Sequence, residues 1–242
     1  EQVSKDDSPS VTTLVCTRNR GRLVSDTVSS ILASTHPDFE LVVVDQSSND
    51  ETADALRPFL NDPRLKYVRS PTVGKGVALG VGLSESTGPI VALTDDDCVV
   101  PPDWLHKLDS IFARYPKVAV AFCVVEAAGH DPKLGFVPDY VRSTALMSTS
   151  AQAARHVLGL GAGMAIRRGV IERLGGVDPM LGPGSVFPSC DDRDLAIRAL
   201  LAGHHVYDTA STSVKHFGFR TWQEGRELTR RNFLAIGAVY SK

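Results

Sequence analysis

The stretch VALTDDDCVVPPDWL, residues 91–105, joins an apolar, strand-like run to three adjacent carboxylates, and two prolines precede the next helical pattern. The carboxylates belong to Asp95, Asp96 and Asp97. Like charges placed this close repel one another and resist losing water. A chain puts them at the end of a buried strand either because the turn is well solvated or because they hold a cation.

Around this stretch, apolar runs alternate with helical patterns, which predicts βαβ units around a mostly parallel, Rossmann-like sheet flanked by helices. The run FELVVVD is too continuously apolar for a half-exposed strand, so it is expected inside the sheet. The predicted strands are residues 11–16, 39–45, 64–68, 89–93 and 118–125. The predicted helices are residues 23–33, 49–60 with an interruption near Pro58, 75–86, 102–114, 191–203 and 221–242.

Polar residues cluster where three of these strands end. TRNR (17–20) follows the first strand, DQSSND (45–50) the second, and the three aspartates the fourth. Ligands of such sheets gather at the carboxyl ends of the strands. Each cluster alone fits a solvated loop, and Asp45 alone could cap a turn. Three clusters on one edge favour a binding site instead.

The aspartates suit a hard divalent cation, since Mg²⁺ or Mn²⁺ commonly binds one or two carboxylates together with substrate phosphates. In an extended chain, side chains alternate between faces. Asp95 and Asp97 are then expected to point the same way and Asp96 elsewhere. That geometry would suit a metal bridged to a diphosphate.

Composition limits the class of protein. The chain has 242 residues, 43% of them hydrophobic, which is enough for one large α/β domain, preferred here over two small ones. A formal net charge of −2 provides no general attraction for nucleic acid or an anionic membrane. The segment GKGVALG (74–80) is neither a P-loop nor a dinucleotide fingerprint, which argues against ATPases and dehydrogenases.

The longest apolar run, residues 118–125, is too short to span a membrane. The amino-terminal stretch EQVSKDDSPS is polar and lacks the regions of a secretory signal, so a soluble cytoplasmic protein is expected. The four cysteines show no C-x-x-C spacing, which predicts reduced, structural thiols and no zinc site.

A second acidic group begins the helix of CDDRDLAIRALLAG (190–203). Asp191 and Asp192 lie at its start, where the helix dipole favours anions, and Asp194 with Arg198 forms an i,i+4 pair. Plain helix capping is the alternative. The preceding Gly- and Pro-rich residues 175–188 are expected to be mobile and to close over a ligand.

Five ordered segments of the chain, between about residues 10 and 218, resemble glycosyltransferase family 2, the GT-A nucleotide-sugar transferases. The segments are TRNR, VVVDQSSNDET, GKGVALGVGLSESTGPIVALTDDD, GAGMAIRR with LGGVDPML, and CDDRDLAIR. The family commonly has Glu-Asp where this chain has Asp191-Asp192. The resemblance implies a GT-A fold with a smaller acceptor-side region.

The resemblance also implies a role for each candidate residue. Asp45 reads the nucleobase, Thr17 and Arg20 line the nucleoside pocket, and Asp95 binds ribose or sugar hydroxyls. Asp96 belongs to the same nucleotide-sugar site. Lys75 approaches the diphosphate or ribose, unless it is an exposed lysine in a glycine turn. Asp97 carries the metal, with His216 beside it unless that histidine is structural, and Arg220 reaches phosphate. Asp192 or Asp191 deprotonates the acceptor.

The activity implied is an inverting, metal-dependent glycosyltransferase using Mn²⁺ or Mg²⁺. It moves a sugar from a UDP-, dTDP- or GDP-linked donor to a carbohydrate or lipid-linked acceptor. A catalytically silent sugar-nucleotide-binding module and a GT-A-like nucleotidyltransferase are the alternatives. A nucleotidyltransferase should have a Gly-rich loop bearing Arg and Lys after the first strand, where this chain has TRNRGR. A phosphoacceptor domain would also have acidic residues at its strand ends, but it is about half the size of this chain and leaves CDDRDLAIR unexplained.

We expect one domain, 1–242, with a nucleotide-sugar half at about 10–125 and an acceptor and catalytic half at about 126–220. The last helix, 221–242, mixes arginines with large apolar side chains: Arg226, Arg230, Arg231, Trp222, Leu228, Phe233, Leu234 and Ile236. Core packing or a homodimer face is expected for it. Contact with the inner face of a membrane carrying a lipid-linked acceptor is the alternative.

Overall fold

In the computed structural model, which describes residues 10–242, strands and helices alternate along the first half of the chain as predicted. The prediction for the amino-terminal stretch falls almost wholly on residues 1–9, outside the described residues. The elements of this half are β1 (Val11–Thr17), α1 (Leu23–Leu32), β2 (Phe39–Asp45), α2 (Glu51–Leu56), β3 (Leu65–Arg69), α3 (Lys75–Ser84), β4 (Ile90–Asp95), β5 (Cys98–Val99), α4 (Trp104–Arg114) and β6 (Val118–Ala127). A 3₁₀ turn, Arg57–Phe59, follows α2 because Pro58 cannot continue the helix.

The second half contains several short strands, one strand of 12 residues and the remaining α-helices. Its elements are β7 (Gly135–Phe136), β8 (Leu146–Ser148), β9 (Met164–Arg167), α5 (Arg168–Arg173), α6 (Asp191–Leu201), β10 (His205–His216), β11 (Arg220–Thr221) and α7 (Trp222–Tyr240). Strands β9 and β10 were not predicted from the sequence. The polar β10 shows no apolar run, and its register on β6 shifts between Asp208 and Ser213.

The main sheet has nine strands in the order β3-β2-β1-β4-β9-β6-β10-β5, with β8 also paired to β10. Strands β1, β2, β3, β4, β6 and β10 run in one direction, and β5, β8 and β9 run opposite to them. The carboxyl ends of β1, β2 and β4 therefore lie on one edge. The predicted, mostly parallel arrangement is confirmed, with β9 inserted antiparallel between β4 and β6.

The core has two layers because successive strand residues face opposite sides of the sheet. Leu14 and Val42 pack with buried residues of α3, α5, α6 and α7. Val15 and Val43 pack with those of α1, α2 and α4 on the other side. Full burial of each such side chain contributes roughly 1.5–3 kcal/mol. The four cysteines form no disulfide with one another.

Helix α7 buries Ala235 and Val239 and packs the half-buried Ile236 against the core, so the predicted core packing holds for only part of its apolar side chains, and the homodimer face stays a prediction. Ala235 is fully buried, whereas Trp222 is 52% exposed, Phe233 70% and Leu234 60%. A capping box between Thr221 and Glu224 fixes the start of the helix. Within residues 10–242, no helix has both the length and the apolar character that a membrane crossing requires.

Candidate active site

A cavity of about 460 Å³ opens at the carboxyl edge of the sheet. Nine of the ten predicted site residues line it, and Asp45 does not. The nine are Thr17, Arg20, Lys75, Asp95, Asp96, Asp97, Asp191, Asp192 and His216. Residues from both halves of the chain thus meet in one cavity, which is the usual place for ligands in such sheets.

The expected alternation of the three aspartates is wrong. Asp95 ends β4, but Asp96 and Asp97 form a turn before β5. Strand alternation therefore stops at Asp95, whose carboxylate contacts Lys75 on α3. The other two carboxylates share the guanidinium of Arg20, at 3.7 Å from Asp96 and 3.3 Å from Asp97.

Asp96 is buried and faces the end of β1. The hydroxyl of Thr17 donates to its Oδ2 at 2.6 Å. Burial raises the pKa of Asp96 to about 6, although the charge of Arg20 and the Thr17 hydrogen bond oppose that rise. Thr17 and Arg20 thus hold the turn in place as well as lining the cavity.

Asp97 and His216 form a buried carboxylate–imidazole pair in the cavity. Nε2 of His216 lies 3.3 Å from Oδ1 of Asp97, an oxygen that is buried and accepts no well-aligned hydrogen bond from the described residues. The other ring nitrogen, Nδ1, lies 2.8 Å from the carbonyl oxygen of Pro138. Since a carbonyl only accepts, Nδ1 carries the proton and Nε2 of the neutral ring has a free lone pair. Metal-binding histidines are oriented in this way.

Charge couples the members of this pair. Burial opposes ionisation of Asp97, but His216, Arg20 and Arg220 outweigh it and lower the pKa of the carboxyl. Burial also disfavours the imidazolium of His216, yet Asp97 and the Pro138 carbonyl raise its pKa. The thiol of Cys98 is near enough to complete a three-ligand set. Burial raises its pKa strongly, so it stays protonated and is a poor ligand for a hard cation.

Gly218 allows the backbone to pass close to the side chains of Asp97 and His216. A Cβ at this position would lie 2.6 Å from Nε2 of His216 and 2.9 Å from Oδ2 of Asp97. The Phe217 N–H donates to the Asp97 carbonyl at 2.8 Å, which fastens the segment to the turn. Residue 218 must therefore be glycine for the two side chains to stay in place.

Lys75, at the start of α3, is ion-paired rather than freely exposed. Its Nζ lies 2.5 Å from Oδ1 of Asp95 and 3.9 Å from Oδ2 of Asp191. Burial opposes the charge, but the two carboxylates raise the pKa of Lys75 well above its usual value. The exposed-lysine alternative is therefore wrong for this position.

The two acidic residues at the start of α6 have different surroundings. Asp191 is only 8% exposed, and burial raises its pKa to about 6 while Lys75 opposes the rise. Asp192 is half-buried, and its Oδ2 accepts from the Gly161 N–H at 2.7 Å. The sequence prediction did not include Gly161, because nothing polar marks the apolar segment around it.

Residues 175–188 contact the helices on either side of the cavity, and their predicted closure over a ligand stays a prediction. The Lys75 N–H donates to the carbonyl of Pro183 at 2.8 Å, and a Cβ at Gly76 would lie 2.5 Å from the Asp178 carbonyl oxygen. The predicted pair Asp194–Arg198 is present at 2.7 Å, and Arg198 also donates to carbonyls at 174 and 176. The segment is therefore anchored to both α3 and α6.

Asp45 is fully buried, and both of its carboxylate oxygens accept hydrogen bonds. Oδ1 accepts from the Ser47 N–H at 2.8 Å and Oδ2 from the Tyr67 hydroxyl at 2.6 Å. The next residue, Gln46, lines the cavity instead. Sequence analysis missed Gln46, although the same strand-end position marks it.

Solved structures define the class of this fold. The chain superposes with a TM-score of 0.69 on the mannosyltransferase PcManGT from Pyrobaculum calidifontis in complex with GDP-Man and Mn²⁺, at 24% identity over 93% of this chain and 61% of that chain. It superposes with a TM-score of 0.72 on residues 1–349 of S. aureus TarS in complex with UDP-GlcNAc, at 17% identity over 89% of this chain and 60% of that chain. The fold is the GT-A glycosyltransferase fold.

Sequence comparison gives the family. The model of "Glycosyl transferase family 2" matches residues 12–175. An uncharacterized glycosyltransferase of Nostoc sp. is 27% identical over 180 residues, which are 70% of this chain and 54% of that protein. The chain belongs to glycosyltransferase family 2, as the sequence resemblance predicted, and spans about half the length of this relative. The matched region ends before Asp191, Asp192 and His216.

Proposed function

We propose that this chain carries the donor- and acceptor-binding parts of an inverting, metal-dependent glycosyltransferase. It would move a sugar from a nucleoside-diphosphate sugar to an acceptor hydroxyl. The observation that carries the proposal is the meeting of the Asp97–His216 pair and Asp192 in one cavity. The Asp97–His216 pair suits a metal-bound diphosphate, and Asp192 suits removal of the acceptor's proton.

Asp97 and His216 would hold the cation. Oδ1 of Asp97 accepts no hydrogen bond from residues 10–242, and Nε2 of His216 has a free lone pair in the neutral ring. Imidazole beside carboxylate favours Mn²⁺ over Mg²⁺, which prefers oxygen ligands. When bound, the ion would neutralise the charge on the leaving diphosphate. Arg20 and Arg220, both on the cavity lining, would contact the same phosphates.

Asp192 is the better general base of the two acidic residues. It is more exposed to the cavity than Asp191, whose buried carboxyl faces Lys75. The Gly161 N–H fixes one oxygen of Asp192 and orients the group. In the reaction, this carboxylate takes the acceptor's hydroxyl proton while the acceptor oxygen attacks the anomeric carbon. The bond from that carbon to the phosphate oxygen breaks, its electron pair leaves with the nucleoside diphosphate, and the configuration inverts.

The donor would be UDP-, dTDP- or GDP-linked and the acceptor a carbohydrate or lipid-linked hydroxyl, as in polysaccharide, glycolipid or glycoconjugate synthesis. GDP-Man and UDP-GlcNAc occupy the two structural relatives named above. Residues of about 10–125 would bind the donor, and residues of about 126–220 the acceptor and the base.

The test is a panel of nucleotide sugars incubated with the protein and Mn²⁺ or EDTA, with release of nucleoside diphosphate as the readout. We expect slow, Mn²⁺-dependent donor hydrolysis that an added acceptor accelerates. NMR of the product then gives the anomeric configuration. Binding without any release would indicate a silent module, and a retained configuration would exclude single displacement.

A further inference from the structure

The outward face of α7 carries an exposed stripe of aromatic and basic side chains. Its members share one side of the helix because they follow one another at intervals of three, four or seven residues. They are Trp222, Arg226, Arg230, Phe233 and Tyr240, called here the α7 stripe. The three aromatic side chains are 52%, 70% and 53% exposed in that order, and both arginines are exposed as well. The stripe extends along the helix for about 27 Å.

The two arginines of the α7 stripe form no ion pair within residues 10–242. The acidic side chains of the helix lie off the stripe and have other partners. Glu224 accepts from the Thr221 N–H at 2.7 Å, and Glu227 lies 3.1 Å from Nε of Arg231. The stripe therefore has a local positive charge, although the whole chain has a formal net charge of −2.

The loop before β7 extends the α7 stripe at its amino-terminal end. Nε1 of Trp222 donates to the carbonyl of Pro132 at 3.2 Å, and the indole ring lies 5.4 Å from the ring of Phe136. These contacts hold the tryptophan in place although half of it is exposed. Lys133 and Leu134 come next in the loop, and both are exposed, Leu134 by 64%. One more cation and one more apolar side chain thus adjoin the stripe.

This composition suits the interface of an anionic phospholipid bilayer. Tryptophan and tyrosine favour the level of the headgroups, where an apolar ring and its polar edge are both satisfied. Arginine lays its alkyl stem along apolar surface, while its guanidinium can donate to two phosphate oxygens at once. A helix with such a face lies in the plane of the interface.

A second copy of the chain fits the α7 stripe less well. In a two-fold symmetric contact the same patch meets itself, and the stripe has no acidic side chain to pair with Arg226 or Arg230. Burying a guanidinium without a partner is costly. Lipid phosphates supply the negative charge that a second copy lacks.

We propose that the α7 stripe binds the surface of an anionic phospholipid bilayer, with α7 lying in the plane of the interface. Another face of the same helix reaches the cavity, because Leu228 and Asn232 line it. The bound helix would therefore separate the cavity from the headgroups by about 10 Å, one helix diameter. Lipid binding needs neither a metal nor a sugar donor, so it can be tested apart from the proposed activity.

Tryptophan emission and vesicle sedimentation of the intact chain test the proposal. The chain has two tryptophans, and Trp104 is 0% exposed, so a change in emission comes from Trp222. With vesicles of equal parts phosphatidylcholine and phosphatidylglycerol, we expect sedimentation and a blue shift. Binding should be at least about tenfold weaker with phosphatidylcholine alone or in about 0.5 M NaCl, which screens the charges. Trp222→Phe should remove the blue shift and still sediment.

A double variant tests the charged part of the stripe. Arg226→Gln combined with Arg230→Gln should weaken binding to the mixed vesicles by about 10- to 30-fold. The matched control is Arg57→Gln combined with Arg114→Gln. It removes the same charge from exposed positions that follow α2 and end α4, on the other side of the sheet from α7.

Phe233→Ser tests the apolar part and should weaken binding by about 10-fold. Leu201→Ser, at a similarly exposed position on α6, is its control. The inference is overturned if the wild-type protein binds the two kinds of vesicle equally or binds neither, or if the arginine double variant binds as its control does. Self-association in analytical ultracentrifugation that Phe233→Ser abolishes, without vesicle binding, would assign the stripe to a second copy instead.

Discussion

Lys75 and Asp95 lie 2.5 Å apart and join the start of α3 to the end of β4. Asp191, the first residue of α6, lies 3.9 Å from the same ammonium group. One cation therefore connects three elements that come from distant parts of the chain. Its positive charge offsets the repulsion between the carboxylates of Asp95 and Asp191.

Lys75→Met should destabilise the protein by about 3 kcal/mol at pH 7.5, because it leaves Asp95 and Asp191 without a cation. The loss of stability should be smaller at pH 5, where protonation of Asp191 relieves its repulsion with Asp95. Urea unfolding at both pH values measures this. Lys66→Met is the control, since its ion pair with Glu85 is about half exposed. Loss of such a surface pair should cost about 1 kcal/mol or less. Equal losses in the two variants would contradict the role of Lys75.

Asp191→Asn should stabilise the protein above pH 6. Burial raises the pKa of Asp191 to about 6 in the folded state, so the folded protein binds this proton more tightly than the unfolded chain. Stability from Asp191 is thus full below about pH 4 and is lost as the pH rises to 6. The variant should match wild type at pH 4 and be up to about 3 kcal/mol more stable at pH 7.5.

Urea unfolding across this pH range checks the prediction, with the exposed Asp139→Asn as the control. A difference between wild type and Asp191→Asn that does not vary with pH would show that the carboxyl has no raised pKa.

Asp192→Asn should reduce sugar transfer by about 10² to 10⁴, since the amide keeps the size of the side chain but cannot take a proton. Its carbonyl oxygen can still accept from the Gly161 N–H, so the structure and donor binding should persist. Steady-state transfer rates and donor affinity give the two readouts. Near-normal turnover in Asp192→Asn together with a collapse in Asp191→Asn would move the base by one residue.

Gly218→Ala should weaken Mn²⁺ binding without removing a ligand, because its Cβ would meet Nε2 of His216 at 2.6 Å. Titration of Mn²⁺ followed by electron paramagnetic resonance measures the affinity. Gly237→Ala, where a Cβ meets nothing within 4 Å, is the control. Unchanged affinity in Gly218→Ala would contradict the expected displacement of the His216 ring from a metal site.

The strands and their polar ends were predictable because hydrophobic periodicity is a local property of the chain. That reasoning located Asp97 and the start of α6, and it would have found Gln46 by the same rule. It failed for β9, because an antiparallel strand inserted between β4 and β6 depends on distant pairing. The polar β10 was missed because tertiary pairing, rather than an apolar pattern, forms it.

The surroundings of individual site residues could not be predicted either. Burial of Asp45 depends on Tyr67, which lies 22 residues away on β3. The direction of the Asp96 side chain depends on the turn at Asp96 and Asp97, where side chains no longer alternate between the two faces of the sheet. Exposure of Phe233 depends on α7 packing through Ala235 and Val239, a choice between helix faces that the mixed sequence leaves open.

We propose that Asp97 and His216 bind a divalent cation on which nucleoside-diphosphate binding depends. The most direct measurement is calorimetric titration of UDP and GDP into wild type and Asp97→Ala, each with Mn²⁺ and with EDTA, and with Asp139→Ala as the control. We expect the wild-type and control proteins to bind at least one of the nucleotides in Mn²⁺ and to lose most of that affinity in EDTA, whereas Asp97→Ala unfolds cooperatively but binds weakly in both. Equal wild-type affinity in Mn²⁺ and EDTA, or a Mn²⁺-dependent affinity that survives in Asp97→Ala, would contradict the claim.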